Sequence, residues 1–428
     1  MESVLIFLGI LFGLMALGVP IGIVLMLCAM GIMGVLGFND PRNVSQLMIA
    51  GINNFVLMAI PFFILAGAIM SKGGIIQRLV DLSLLILGRF RGGLGYAACL
   101  TSFIFAGLSG SALADAAAMS TMLVPIMAAR GYNKARSAAF IAANTVNTPM
   151  LPPSIGFVLI GVSANLSIAR LFMGGIVPGI VFTIALLIGW YFIARNDGYE
   201  DQQTFPREQI WPIVKGALPA LGVPVLVIGG IRFGWFTPTE AGAFCVVYAF
   251  VVSAFYYKEL TWQKAKEAFA EAALTTAAIA LIVAGASAVG FYMTMAQIPQ
   301  HIVNLLGGFI DRPLMLMLII NLFLVVISMF MDFTPTILIF APILIPIAKA
   351  AGIDPYFFAF IMLANITIGL STPPVGTVLF VVLRTTKVKY GEFLYKMLPF
   401  FFILFAVLLL YIFFPQLYLV PQRLLFNK

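Results

Sequence analysis

The stretch Asn144-Thr145-Val146-Asn147-Thr148-Pro149-Met150-Leu151-Pro152-Pro153-Ser154 lies within a long apolar run and cannot stay helical. Three prolines within five residues each remove a backbone donor and clash with the preceding turn, so the chain must unwind there. A second stretch, Asn365-Ile366-Thr367-Ile368-Gly369-Leu370-Ser371-Thr372-Pro373-Pro374-Val375-Gly376, repeats the design: a polar run ends at a double proline. Asn144 and Asn365 are 221 residues apart, and so are Pro125 and Pro346, Gly131 and Gly352, and Pro152 and Pro373. Paired apolar segments broken by Gly, Pro, Ser, Thr and Asn point to the substrate site of a secondary transporter.

The surroundings set the solvent. Of the 428 residues, 62% are hydrophobic and 9% charged, and the mean hydropathy is +1.09. A soluble core of this length cannot hide so much apolar surface, so the chain reads as an integral membrane protein. The apolar segments are long and do not alternate with period two, so the spans are helices and the fold class is all-α polytopic. Met1-Glu2 runs straight into an apolar segment without a basic lead or a small-residue cleavage site, which reads as a permanent span rather than a removed signal. The net charge of +8 fits basic cytoplasmic loops better than nucleic-acid binding. Cys28, Cys99 and Cys245 stand singly in apolar runs and form no disulfide or zinc pattern.

Two further apolar stretches are interrupted near their middles. Residues 92–129 are cut by Ser109-Gly110-Ser111, and residues 313–350 by Met331-Asp332-Phe333-Thr334-Pro335. Each half is roughly 16 residues, short of the ~20 that a span needs. A re-entrant helical hairpin accounts for both. Basic residues flank the first hairpin on both sides (Arg89 and Arg91, then Arg130, Lys134 and Arg136), which places its ends in the cytoplasm. The flanks of the second, Asp311-Arg312 and Lys349 with Asp354, are charge-balanced and suit the outer face. The expectation is an inverted repeat of residues 1–197 and 212–428, with about five spans and one hairpin in each, joined by a cytoplasmic linker at 198–211. Both termini would face the periplasm. Charges at helical spacing over Thr261–Glu271 predict an amphipathic interfacial helix leading into the next span.

The interruptions supply the chemistry. Gly110 lets the backbone turn, while the hydroxyls of Ser109 and Ser111 and the freed carbonyls are hard oxygen ligands suited to a dehydrated Na⁺. The half-helix that starts there offers free N–H groups to an anion. The same serines also suit simple capping. Asn144, Thr148 and the opened carbonyls around Pro149 are placed to complete a cation site, unless the kink is merely filled by neighbouring helices. Asp332 lies deep between apolar runs, where an acid is expensive and functional by default, though it is equally placed to cap the following helix. Asp115 either faces the cavity or bonds within the hairpin. Glu240 in Thr237-Pro238-Thr239-Glu240 reads as a cap or a partner contact. One histidine, His301, is a poor basis for a proton relay, which favours Na⁺ as coupling ion, and it supplies no catalytic cluster for an enzyme.

Ser109-Gly-Ser-Ala-Leu-Ala-Asp115, Asn144 to Ser154, Met331-Asp-Phe-Thr-Pro335 and Gly369-Leu-Ser-Thr-Pro-Pro374 together resemble the large membrane (M) subunit of the TRAP transporters, the tripartite ATP-independent periplasmic family. The resemblance covers essentially the whole chain and is most similar to the sialic acid (N-acetylneuraminate) type, with the C4-dicarboxylate type a close relative. It implies a bacterial inner-membrane carrier that imports an organic acid on a Na⁺ gradient. The partners would be a small four-helix membrane subunit, on a separate chain, and a soluble periplasmic binding protein. It also implies an elevator, in which a transport domain of both hairpins and spans 136–165 and 355–384 moves against a scaffold. On that reading one Na⁺ is held by Ser109, Gly110, Ser111, Asn144, Thr148 and Pro149, and a second by Met331, Asp332, Thr334, Gly369 and Thr372. Ser111, Ser154, Asp332 and Thr334 face the substrate. A stand-alone Na⁺/dicarboxylate carrier would share the inverted halves but need no binding protein.

Overall fold

The structure, a computed structural model, describes residues 2–38, 40–194, 205–298, 300–301, 307–373 and 376–426. Among these there is no strand. The first half of the chain forms α1 (Glu2–Ala16), α2 (Ile21–Val35), α3 (Arg42–Ile52), α4 (Ala59–Lys72), α5 (Ile75–Leu87), α6 (Gly93–Ser109), α7 (Ala112–Ala129), α8 (Lys134–Asn144), α9 (Ile155–Ser163) and α10 (Ile168–Ala194). The second half forms α11 (Arg207–Arg232), α12 (Pro238–Val251), α13 (Trp262–Met295), α14 (Pro313–Ser328), α15 (Phe333–Ala350), α16 (Pro355–Leu370), α17 (Thr377–Thr386), α18 (Tyr390–Phe413) and α19 (Gln416–Phe426).

Eight of the described helices are long and apolar enough to cross a membrane, or nine if the pair bent by 43° around residues 151–154 counts as one span. Sequence reading expects about ten spans and two hairpins. The difference follows from the breaks, since helices such as α6, α14 and α16 are too short to cross alone. Both interrupted stretches form helix pairs with the expected bounds: α6 and α7 meet at Gly110, α14 and α15 near Asp332. The expected amphipathic segment is the opening of one continuous helix, α13, whose 34 residues extend about 51 Å. Much of the expected linker 198–211 falls outside the described residues, and its last five positions belong to α11. Two elements were not foreseen: α3, which turns at Asn53-Asn54 before α4, and the terminal α19, which packs on α10.

Packing is reciprocal between the halves. Helix α2 packs on α13 and α4 on α12; α7 packs on α17 and α9 on α15; α8 packs on α18 and α10 on α16. Each contact has a counterpart when a helix of one half is exchanged for its equivalent in the other. The core lies around the two broken spans. Every residue of α16 from Phe357 to Leu370 is buried, and so are all those from Ser137 to Gly161. A helix that is apolar all round belongs inside a bundle, and here it encloses the polar breaks. The first hairpin is anchored by Trp190 of α10, whose indole N–H donates to the Gly92 carbonyl at 3.0 Å and whose ring stacks on Phe140 at 4.4 Å. Gly95 makes room for that ring, because a Cβ there would stand 2.0 Å from it.

Candidate functional site: two hairpin tips on one cavity

At the first tip α6 stops at Ser109 and the chain reverses through Gly110, whose φ is +63°. A Cβ at Gly110 would lie 2.9 Å from the Pro153 carbonyl oxygen, so the tip presses on the break that follows α8. On the other side, a Cβ on Gly67 of α4 would lie 3.2 Å from Ser109 Cα. Ser111 is the N-cap of α7, its Oγ accepting from the Ala114 N–H at 3.4 Å. Ser109 Oγ accepts from the Ser111 N–H at 3.2 Å and donates to Asp115 Oδ1. The second Asp115 oxygen accepts from Thr148 Oγ1 at 2.6 Å. Asp115, left open between two roles by its sequence context, is therefore the knot that ties the tip to the unwound stretch, and it is buried.

That unwound stretch is a tight helical turn over Thr145–Met150 followed by extended residues to Ser154. Asn144, the last residue of α8, donates its amide N–H to the Phe140 carbonyl at 2.8 Å, and its Oδ1 is buried without a hydrogen-bond partner. The Pro149 carbonyl accepts from Ser154 Oγ, which also caps α9 by accepting from Phe157 N–H at 3.0 Å.

The second tip is built from the same parts, finished differently. Met331 is buried, its N–H donating to Ile327. Asp332 holds the N-cap position of α15 without a side-chain capping bond; its carboxylate is met by the neighbouring Phe333 N–H and by Thr377 Oγ1 of α17 at 3.4 Å. Further along the hairpin, Asn365 of α16 donates to the Asn321 carbonyl and Oδ1 of α14 at 3.0 and 2.8 Å, and again its own Oδ1 is buried without a partner. Ser371 Oγ is likewise unpartnered. Thr372 Oγ1 donates to the Ile368 carbonyl at 2.7 Å, and Gly369 lets α14 approach closely, since a Cβ there would meet Ser328 Oγ at 2.1 Å.

The two tips meet at one cavity of about 890 Å³, with Ser109, Gly110, Ser111, Asp332, Phe333 and Thr334 on its wall. The N-termini of α7 and α15 both start there, so free N–H groups and positive dipole ends face the space, a setting for an anion. The cavity continues between α4, α7 and α13 to Lys72 and Glu271. Small residues of α7, among them Ala114, Ala117 and Ala118, keep this passage open. No group of three or more His, Cys, Asp or Glu side chains able to hold a metal occurs among the described residues. The oxygens available to a cation are hydroxyls, carbonyls, side-chain amides and the Asp332 carboxylate, the hard donors that an alkali ion accepts.

Of the residues expected at the substrate, Ser111, Asp332 and Thr334 are on the wall and Ser154 is not. Ser154 is fully buried with its hydroxyl committed to Pro149 and to capping, which corrects its expected placement. Asn144, Thr148, Pro149, Met331, Gly369 and Thr372 stand behind the tips, off the wall. Sequence reading missed Asn321, Thr377 and Lys72. Asn321 is an amide within the apolar run of α14, and a polar side chain in such a run is the available signal. Glu240 forms a capping box with Thr237, bonding its N–H at 2.7 Å, and so serves α12.

Comparison with known proteins adds the following. Residues 8–417 match the family described as "Tripartite ATP-independent periplasmic transporter, DctM component". The chain is 40% identical to the 2,3-diketo-L-gulonate TRAP transporter large permease protein YiaN of Escherichia coli, covering 98% of this chain and 99% of that one. It is 36% identical to the sialic acid TRAP transporter large permease protein SiaM of Vibrio cholerae, over 94% of this chain and 95% of the relative. It is 38% identical to the isethionate TRAP transporter permease protein DctMQ of Oleidesulfovibrio alaskensis, over 95% of this chain but 65% of the relative. Among solved structures, the YdaH transporter of Alcanivorax borkumensis superposes with a TM-score of 0.56 at 14% identity, covering 87% of each chain, a likeness of fold alone.

Proposed function

The chain belongs to the DctM family of tripartite ATP-independent periplasmic transporters, and from that premise we propose that it imports a sugar acid across the bacterial inner membrane, driven by Na⁺. The members it matches are transporter permeases and not enzymes. The family implies a small membrane subunit and a periplasmic binding protein as partners. The chain spans 65% of the length of the relative DctMQ and 99% of that of YiaN.

The observation that carries the reading is the meeting of both tips on one cavity; each half also holds a buried asparagine oxygen with no partner, Asn144 Oδ1 in α8 and Asn365 Oδ1 in α16. An unpaired buried acceptor costs about 1–3 kcal/mol, and a cation bound there removes that penalty. Asn144 Oδ1 and Asn365 Oδ1 stand 221 positions apart, one in the helix before each break, and this supports two Na⁺ sites. One would draw on Ser109, Gly110, Ser111, Asn144, Thr148 and Pro149, the other on Met331, Asp332, Thr334, Gly369 and Thr372. The hydroxyl protons of Ser109 and Thr148 point to Asp115, which leaves their lone pairs for an ion.

The acid's carboxylate would sit between the tips, met by Ser111, Thr334 and the N-termini of α7 and α15. Asp332 on the same wall repels a small dianion and accepts from hydroxyls, so it favours a polyhydroxylated cargo over a C4-dicarboxylate. N-acetylneuraminate and a 2,3-diketo-gulonate-type acid both meet that requirement. Ions that order the tips raise substrate affinity, and the substrate raises theirs by the same factor. Reciprocal packing of the halves supports an inverted repeat, with the hairpins and broken spans moving against α2, α4, α12 and α13 as an elevator. The cavity extends towards Lys72 at the end of α4, on the side that positive-inside bias assigns to the cytoplasm; this supports an inward-facing conformation with both termini periplasmic.

The test is uptake of labelled N-acetylneuraminate or 2,3-diketo-L-gulonate into proteoliposomes containing both membrane subunits, with binding protein outside. Uptake should need both a Na⁺ gradient and the binding protein. Asp332→Asn and Ser111→Ala should lower it and change its Na⁺ dependence. Uptake without binding protein would favour a stand-alone carrier, and wild-type Na⁺ dependence in both variants would remove the ion and substrate assignment.

A further inference from the structure

At the far end of the cavity from the hairpin tips stands Lys72, the last residue of α4 and the one cationic side chain on the cavity wall among the described residues. Its Nζ lies 3.4 Å from Glu271 and 3.6 Å from Glu267, both on α13. These pairs are long, and the side chains are 27%, 58% and 50% exposed, so each pair contributes little and Lys72 can trade one carboxylate for another. The tips themselves offer no cation, and Asp332 is the one charged group on that part of the wall. Gly67, which touches the first tip at Ser109, precedes Lys72 by five residues, about 7.5 Å along α4. An anion moving off the tips therefore meets its first full positive charge at Lys72.

We propose that Lys72 is the release residue of the carrier. It takes the cargo's carboxylate in place of Glu271 on the way out, and Glu267 and Glu271 recapture it as the acid leaves. One lysine shared by two glutamates leaves the mouth with a net negative charge once it is recaptured, which disfavours return of the anion. The inference rests on the reading of the chain as an acid importer. A plain brace between α4 and α13 is the other use of such a cluster, and the two differ in sign. A brace is lost equally whichever partner is removed. A release residue binds acid more weakly without the lysine and more tightly when its competing glutamates are gone.

The experiment measures exchange of N-acetylneuraminate and of 2,3-diketo-L-gulonate in proteoliposomes holding the full complex, varying the acid inside. For whichever acid moves, Lys72→Gln should raise the internal half-saturation about tenfold, the scale of one charge-assisted contact, with external half-saturation and melting temperature unchanged. Lys72→Arg should restore it. The double variant Glu267→Gln/Glu271→Gln should lower the internal half-saturation several-fold. Shifts of the same sign in the lysine and glutamate variants, or no shift, would overturn the release role and leave a brace. If the wild type exchanges neither acid, the sugar-acid reading fails first, and the release role with it.

Discussion

Ser111 and Asp332 are 221 residues apart and both precede the outgoing helix of a hairpin, on the wall of the same cavity. Ser111 closes its helix with a side-chain cap, and the acid next to it, Asp115, is enclosed by two hydroxyls. Asp332 makes no capping bond; its carboxylate has the neighbouring Phe333 N–H and a long bond from Thr377. An acid at this depth needs compensation. The first tip supplies it with two hydroxyls held at normal or short range and the second more sparingly; on the proposed reading this makes the first tip a frame and the second the half that answers to ligand.

Asp332→Asn strikes that contrast hardest. Uptake in proteoliposomes should fall roughly 100-fold, equivalent to ~2.7 kcal/mol, with expression and melting temperature held; a modest loss would mean the two tips are not different in kind. Asp115→Ala should act on stability instead. It orphans the hydroxyls of Ser109 and Thr148 at about 1–3 kcal/mol each, lowering the thermal midpoint of the purified protein, and since those two proposed Na⁺ ligands lose the group that orients them, any surviving uptake should need more Na⁺. Gly110→Ala adds left-handed strain of about 1 kcal/mol to a 2.9 Å collision with the Pro153 carbonyl. Gly131→Ala, at φ +83° with open space around it, carries the strain alone, so a larger drop in substrate affinity for Gly110→Ala isolates the contact between tip and break. Ser154→Ala should be the mildest. Losing the cap of α9 costs about 1 kcal/mol of stability, and half-saturation for the acid should not move.

The sequence alone determined the membrane class, the two interrupted apolar stretches and the first unwound stretch, because hydropathy and proline chemistry act locally and leave marks in neighbouring residues; the second polar run, expected to unwind, stays helical from Asn365 to Leu370. The constant offset of 221 paired those features without any coordinates. What each polar residue of the site is bonded to was decided only by the tertiary structure. Asp115 and Asp332 look alike in sequence, each an acid within an apolar run, and only the placement of Thr148 and Thr377 distinguishes a knot from an open carboxylate. Ser154 has the composition of a substrate contact and is consumed by Pro149 five residues earlier. Lys72 ends an ordinary apolar run, and its position on the cavity wall exists only because α4 is laid against α13. Local chain chemistry fixes where helices stop, but which lone pairs remain free after folding depends on partners far away in the sequence.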